Sequence, residues 1–277
     1  MIEVHDGERV EVKDGEQATV FDGGEAVILA GGKATVNEDG VALVYDGGDA
    51  WVRAGGYANV YDGGTAKVGN GEVWIYEGGK AYLSEGGLAE VHKNGWVELS
   101  GGGWANVYED GMAVVLDGGK AEVYAGGFAE VYAGGVSEVH AGGIAEVYDG
   151  GKAEVHDRGW VQVFDGGVVT VYAGGVAEVH AGGGGIVHAD SLARVYEGGV
   201  VVVENGAEAE VCRGGYVSIL KGGKAYVHAG GGAYVKEGGW VNVEKGGMAE
   251  FENGAEATGP DEITYGEQVN EDLTPSS

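Results

Sequence analysis

Seven histidines punctuate this 277-residue chain, at His5, His92, His140, His156, His180, His188 and His228. Two of them repeat a Glu-x-His unit sixteen residues apart, Glu138 with His140 and Glu154 with His156. Two imidazoles and two carboxylates brought within ~5 Å would suit Zn²⁺ or a similar ion. The competing reading is one stacked aromatic row that Tyr and His fill interchangeably, and the residue pattern favours it. Aspartates recur in the same manner, as Asp6 with Asp22, Asp46 with Asp62 and Asp149 with Asp165. Such rows would suit Ca²⁺, but Asp before Gly more often bonds its own backbone in a turn. No metal site and no cofactor are assigned from these residues.

Catalytic chemistry finds little footing. Serines are few, and none stands in the turn of a nucleophile elbow. Gly-Gly pairs are frequent, yet none opens a helix, so no phosphate cradle follows. Glutamates recur throughout, which marks no single pair as acid and base. At position five, threonine stands only at Thr19, Thr35, Thr170 and Thr258, too scattered for an ice-binding array. The chain reads as a non-enzyme with no catalytic residue.

The 45 acidic and 16 basic residues give a formal charge of −29. Direct nucleic-acid binding is not expected, because it needs clustered Lys and Arg. The balance permits solubility, cation binding or attraction to basic proteins. One cysteine, Cys212, leaves no internal disulfide framework and no multi-cysteine zinc site. No apolar run approaches the ~20 residues of a membrane span, so membrane insertion is not expected. The start, MIEVHDGERVEV, has no basic region or apolar signal core. If that start is native, an intracellular protein is expected.

The elements that position these residues come from an internal repeat. Residues 118–149 read GGKAEVYA, GGFAEVYA, GGVSEVHA, GGIAEVYD. Counting from the first glycine, position six is Val in 26 of 32 copies, and Ile28, Ile75, Leu83, Leu99, Ile219 and Phe251 are the exceptions. Position four is Ala in 21 copies and Val in eight. Positions three, five and seven carry the charge and the aromatics. This period-two alternation predicts a strand with one buried face, and Gly-Gly supplies a tight corner needing positive φ. Both prolines, Pro260 and Pro275, lie beyond the repeats, as uninterrupted sheet requires.

Position seven predicts how many strands make a coil. Alternate copies read Tyr45, Tyr61, Tyr76, His92, Tyr108 and Tyr124, while the interleaved ones read Arg53, Gly69, Ser84, Ser100 and Leu116. Only a two-strand coil of sixteen residues keeps these sets apart. The expected fold is all-β, a β-solenoid of about sixteen coils with an Ala/Val interior over residues 1–258. Residues 259–277 form an acidic tail or cap.

The octads resemble repeats of uncharacterised bacterial and phage proteins, with a small turn residue, then Ala-x-Val, then an aromatic. The Gly-Gly corners look like those of autotransporter-type passenger domains. This resemblance implies a β-solenoid and carries over no functional residue. The calcium-binding nonapeptide roll shares the Gly-Gly step. Here the period is eight, Ala replaces its third Gly, and its Asp is usually Glu or Thr, so that calcium code is absent.

An apolar row at position three is the strongest functional clue: Trp96, Met112, Phe128, Ile144, Trp160, Val176 and Leu192. Leu116, Tyr132, Tyr148, Phe164 and Tyr196 run beside it at position seven, with Glu130, Glu146 and Glu178 between. A contiguous apolar patch usually marks a partner surface, although neighbouring coils would also cover position three in part. The expected function is a structural or protein-interaction scaffold that pairs with itself, as a homodimer, or with another protein. Two other readings stand beside it. Rows of Glu at 122, 138 and 154, and at 130, 146 and 178, would let an acidic rod mimic nucleic acid. Tyr and Trp ladders would serve surface adhesion or carbohydrate binding.

Overall fold

The computed structural model describes residues 1–259, which fall in two compact units that divide between Val169 and Thr170. The tail or cap expected at 259–277 lies outside the described residues, apart from Gly259. Among the described residues 33 strands, two to a coil, give about sixteen coils of an all-β solenoid.

In the first unit, strands alternate between sheet I, which begins with Ile2–Val4, and sheet II, which begins with Arg9–Val12. Most strands cover positions three to six, as Phe128–Val131 in sheet I and Val136–Val139 in sheet II. Phe128 pairs with Ile144 and Val136 with Lys152, both in parallel register. The coil therefore holds two strands, as the position-seven rows predicted. Positions four and six point inward: Ala129, Val131, Ala145 and Val147 are all 0% exposed. The second unit repeats the scheme, with Val176 opposite Leu192 in one sheet and Gly184 opposite Val200 in the other.

The two corner glycines have different duties. Gly142 has φ +76°, and the Gly143 N–H donates to the His140 carbonyl at 2.8 Å, which defines a type II turn. Asp110 and Arg158 occupy the same place with φ 56°, so a side chain is tolerated there at some strain. Gly143 has ordinary φ but no room. A Cβ on it would lie 2.4 Å from the Val123 carbonyl oxygen of the coil beneath. Backbone bonds continue through the corner, since Gly142 N–H donates to Arg158 O and His140 N–H to Val123 O.

One corner is a residue short, and the pairs Tyr57–Glu72 and Thr65–Lys80 absorb it with an offset of fifteen. The disturbance spreads along that edge. Asn70 has φ 58°, the next corner has Glu85 at 57° with Gly86 at 92°, and the next has Gly101 at 53° with Gly102 at 92°. Two successive positive values are a type I′ turn. At Asp117 and Gly118 only the glycine is positive again.

Glu8 and Glu16 stand where most copies have the second glycine. Their carboxylates accept the backbone N–H groups of His5, at 2.9 Å, and Lys13, at 2.8 Å. In the next coil the equivalent N–H groups, of Phe21 and Leu29, donate instead to the carbonyls of Val4 and Val12. Side chains thus replace backbone acceptors at this edge, which keeps the donors from being left open.

Ser137 replaces a core alanine between Ala121 and Ala153. It is 0% exposed and its Oγ has no hydrogen-bond partner. A buried hydroxyl without a partner costs ~1–3 kcal/mol. Ser137→Ala is expected to raise the unfolding free energy by about 1–2 kcal/mol, read as a higher urea midpoint at unchanged slope. A lower midpoint would contradict that account.

Candidate functional site

Outward positions stack on a ~4.8 Å repeat, so like residues form ladders along each sheet. On sheet II of the first unit the rings Tyr45, Tyr61, Tyr76, His92, Tyr108, Tyr124, His140 and His156 stack without a break. On sheet I, Tyr132, Tyr148 and Phe164 do the same, with centroids 5.0 and 5.2 Å apart. Parallel in-register strands impose this stacking, and offset rings at such distances attract one another.

The Glu-His pairs belong to this ladder. His140 and His156 lie face to face, 5.4 Å apart and 13° from parallel, so their nitrogens do not converge on one point. The Glu138 carboxylate is held by Lys120 Nζ at 2.6 Å, which keeps its pKa below the usual range. His140 Nε2 faces Glu122 instead, at 3.9 Å. Glu154 stands beside Glu138 in register. Among the described residues, no three His, Cys, Asp or Glu side chains gather as a metal site would need. Several corner aspartates lean over the next coil: a Cβ added to Gly63 would touch Asp46 Oδ1, and one added to Gly166 would touch Asp149 Oδ1.

Glutamates at position five are tied to the ladders by phenols two residues on. Tyr124 donates to Glu122 at 2.6 Å, Tyr132 to Glu130 at 3.0 Å, and Tyr148 to Glu146. The Glu122 bond, helped by burial, pushes the Tyr124 phenol up to about 12. Glu122, Glu138 and Glu154 do form a register row. Lys120 offsets the charge of Glu138, one of the three that a nucleic-acid mimic would present, while Glu122 accepts from the neutral Tyr124 phenol. In the second unit Arg194 bridges Glu178 at 3.4 Å and Glu210 at 3.2 Å. His228 sits between Glu244 at 3.1 Å and Glu210 at 3.0 Å, and both raise its pKa, Glu244 the more. Burial pushes the Cys212 thiol up, so it is not primed as a nucleophile.

The apolar row is present in the first unit as five side chains in register: Trp96, Met112, Phe128, Ile144 and Trp160. Leu116, Tyr132, Tyr148 and Phe164 flank it. Ile144 is 37% exposed and the others are half-buried, because each side chain lies on the next. Val176 and Leu192 pair with one another in the second unit.

Sequence reasoning missed a second patch, on sheet II of the first unit. Val41, Leu43 and Tyr45 fill all three outward positions of one coil, and Tyr57, Asn59 and Tyr61 those of the next. Val27, Leu29 and Trp74 extend it, and no charge interrupts the two central coils. Its signal is legible in the sequence at the same sixteen-residue spacing, in uncharged residues at positions three, five and seven of two octads.

No family model and no curated protein matches the chain. Among solved structures, a TibC-catalysed hyper-glycosylated TibA fragment spanning 55–350 is 24% identical. The match covers 95% of this chain and 93% of that one, with a TM-score of 0.29. Two backbones at that score do not superpose, so nothing passes from the fragment to this chain. The glycine-cornered β-solenoid is established by the strand pairing itself. Among the described residues no helix is long and apolar enough to cross a membrane.

Proposed function

We propose that the chain is a non-enzymatic scaffold whose first unit self-associates through the sheet I row from Trp96 to Trp160. The observation that supports this reading is the order of the row. Trp96, Met112, Phe128, Ile144 and Trp160 run large, medium, large, medium, large, nearly the same in both directions. A two-fold axis at Phe128 would set Trp96 against the second copy's Trp160 and Met112 against its Ile144. That self-complementarity is what an isologous dimer requires. Glu130 and Glu146, beside the row, have their carboxylates bonded by Tyr132 and Tyr148, which lowers the cost of covering them.

Five strands spaced ~4.8 Å apart and about four residues wide offer roughly 300 Å² per copy, under half the standard interface. The dimer is therefore expected to dissociate in the micromolar range. Hydroxyl-radical footprinting tests the face directly. Oxidation of Met112 should fall as protein concentration rises, while Met248, 60% exposed in the second unit, stays constant. Protection that ignores concentration, or that appears on Trp104 instead, would reject the sheet I face.

A further inference from the structure

Nearer the N-terminus, sheet I of the first unit carries a different surface. Position three reads Gln17, Lys33, Asp49, Thr65 and position five reads Thr19, Thr35, Trp51, Lys67, each row in register. A trough of ≈ 370 Å³ opens along them. Its floor reaches the core: Ala18 and Ala50 are 4% exposed and Ala34 6%, whereas Ala129 and Ala145 beneath the apolar row are 0%. Threonine and aspartate are too short to roof those methyl groups.

Trp51 makes one wall. It is 54% exposed, and the Arg53 guanidinium lies 4.9 Å from its ring centroid, a cation–π contact that restrains the indole. Lys33 is paired with Asp49 at 3.8 Å. Lys67, beside Trp51, forms no ion pair among the described residues, although the chain carries 45 acidic groups. An exposed indole, a row of hydroxyls, an amide and an uncompensated cation therefore share one trough of ligand size. An indole takes the apolar face of a flat ring, hydroxyls and amides take hydroxyls, and a lysine takes an anion.

We infer that this trough binds an acidic saccharide of the uronic-acid class. One sugar face lies on Trp51, its hydroxyls meet Thr35, Thr65 and Asp49, and its carboxylate meets Lys67. An extended acidic peptide fits less well, because the backbone groups of the floor strands are already spent on the ladder and offer no strand pairing. The trough uses coils outside the Trp96–Trp160 row, so the inference goes beyond the scaffold reading and does not depend on it.

The test is calorimetric titration of the full chain with trimers of galacturonate, glucuronate and mannuronate, beside a neutral galactose trimer and hexaglutamate. At least one uronate trimer should bind saturably at one site. Trp51→Ala should weaken it by about tenfold or more, with an unchanged melting temperature. Lys67→Gln should weaken it and flatten its salt dependence, and Trp104→Ala on sheet II should change nothing. No saturable uronate binding would overturn the inference. So would binding that survives Trp51→Ala, a neutral trimer that binds equally well, or hexaglutamate binding as tightly as the trimers.

Discussion

Alanine at Gly143 is expected to destabilise the first unit by more than about 3 kcal/mol, and alanine at the adjacent Gly142 by only about 1–2 kcal/mol. The two glycines look equivalent in the repeat, but different physics holds each. At Gly142 the cost is conformational: φ is +76°, and the nearest neighbour of a new Cβ is Ala125 Cβ at 3.2 Å. Asp110 and Arg158 already accept that strain elsewhere. At Gly143 the new atom would sit 2.4 Å from the Val123 oxygen, 2.9 Å from its carbonyl carbon and 3.1 Å from the His140 oxygen. All three are backbone atoms. The Val123 oxygen is also the acceptor of the His140 N–H, so relief of the clash breaks the ladder between coils. Urea denaturation of the two variants measures the difference. Equal costs would mean that coils do not stack as closely at the corners as described.

Phe128→Lys combined with Ile144→Lys is expected to weaken self-association by about a hundredfold or more, equivalent to about 2.7 kcal/mol. A two-fold axis at Phe128 would bury two lysines from each copy, four in all, against apolar side chains with no partner charge. Burying an unpaired ammonium is among the costliest single changes at an interface. Folding should be unaffected, because both side chains lie on the outer face, above Ala129 and Ala145 rather than among them. Leu43→Lys with Tyr57→Lys places the same charges on sheet II and should leave association intact. The reverse pattern would move the interface to the sheet II patch.

The coil was legible in the sequence because buried and outward positions obey different rules. Val at position six and Ala at position four must fit one narrow interior, so their identity hardly varies. Tyr45, Tyr61 and Tyr76 had to stack on one another, and that gave the two-strand coil. Side-chain partners were less legible. Glu138 stands two residues from His140 in the chain, but its carboxylate is taken by Lys120 of the adjoining coil. Contacts of that kind depend on rotamers, which the repeat leaves open. The spread of corner strain from Asn70 to Gly102 had no sequence signal beyond one missing residue. Thr19 and Thr35 were visible only as a failed ice-binding array. Their place beside Trp51 and Lys67 needed the register.

Sedimentation equilibrium of the unmodified protein at low and high salt decides whether the sheet I row joins two copies. The mass is expected to climb from 28.2 kDa toward twice that value with concentration, and to do so at high salt as well, because the contact is apolar. A mass fixed at one chain up to the highest soluble concentration would contradict it. So would an association that salt abolishes.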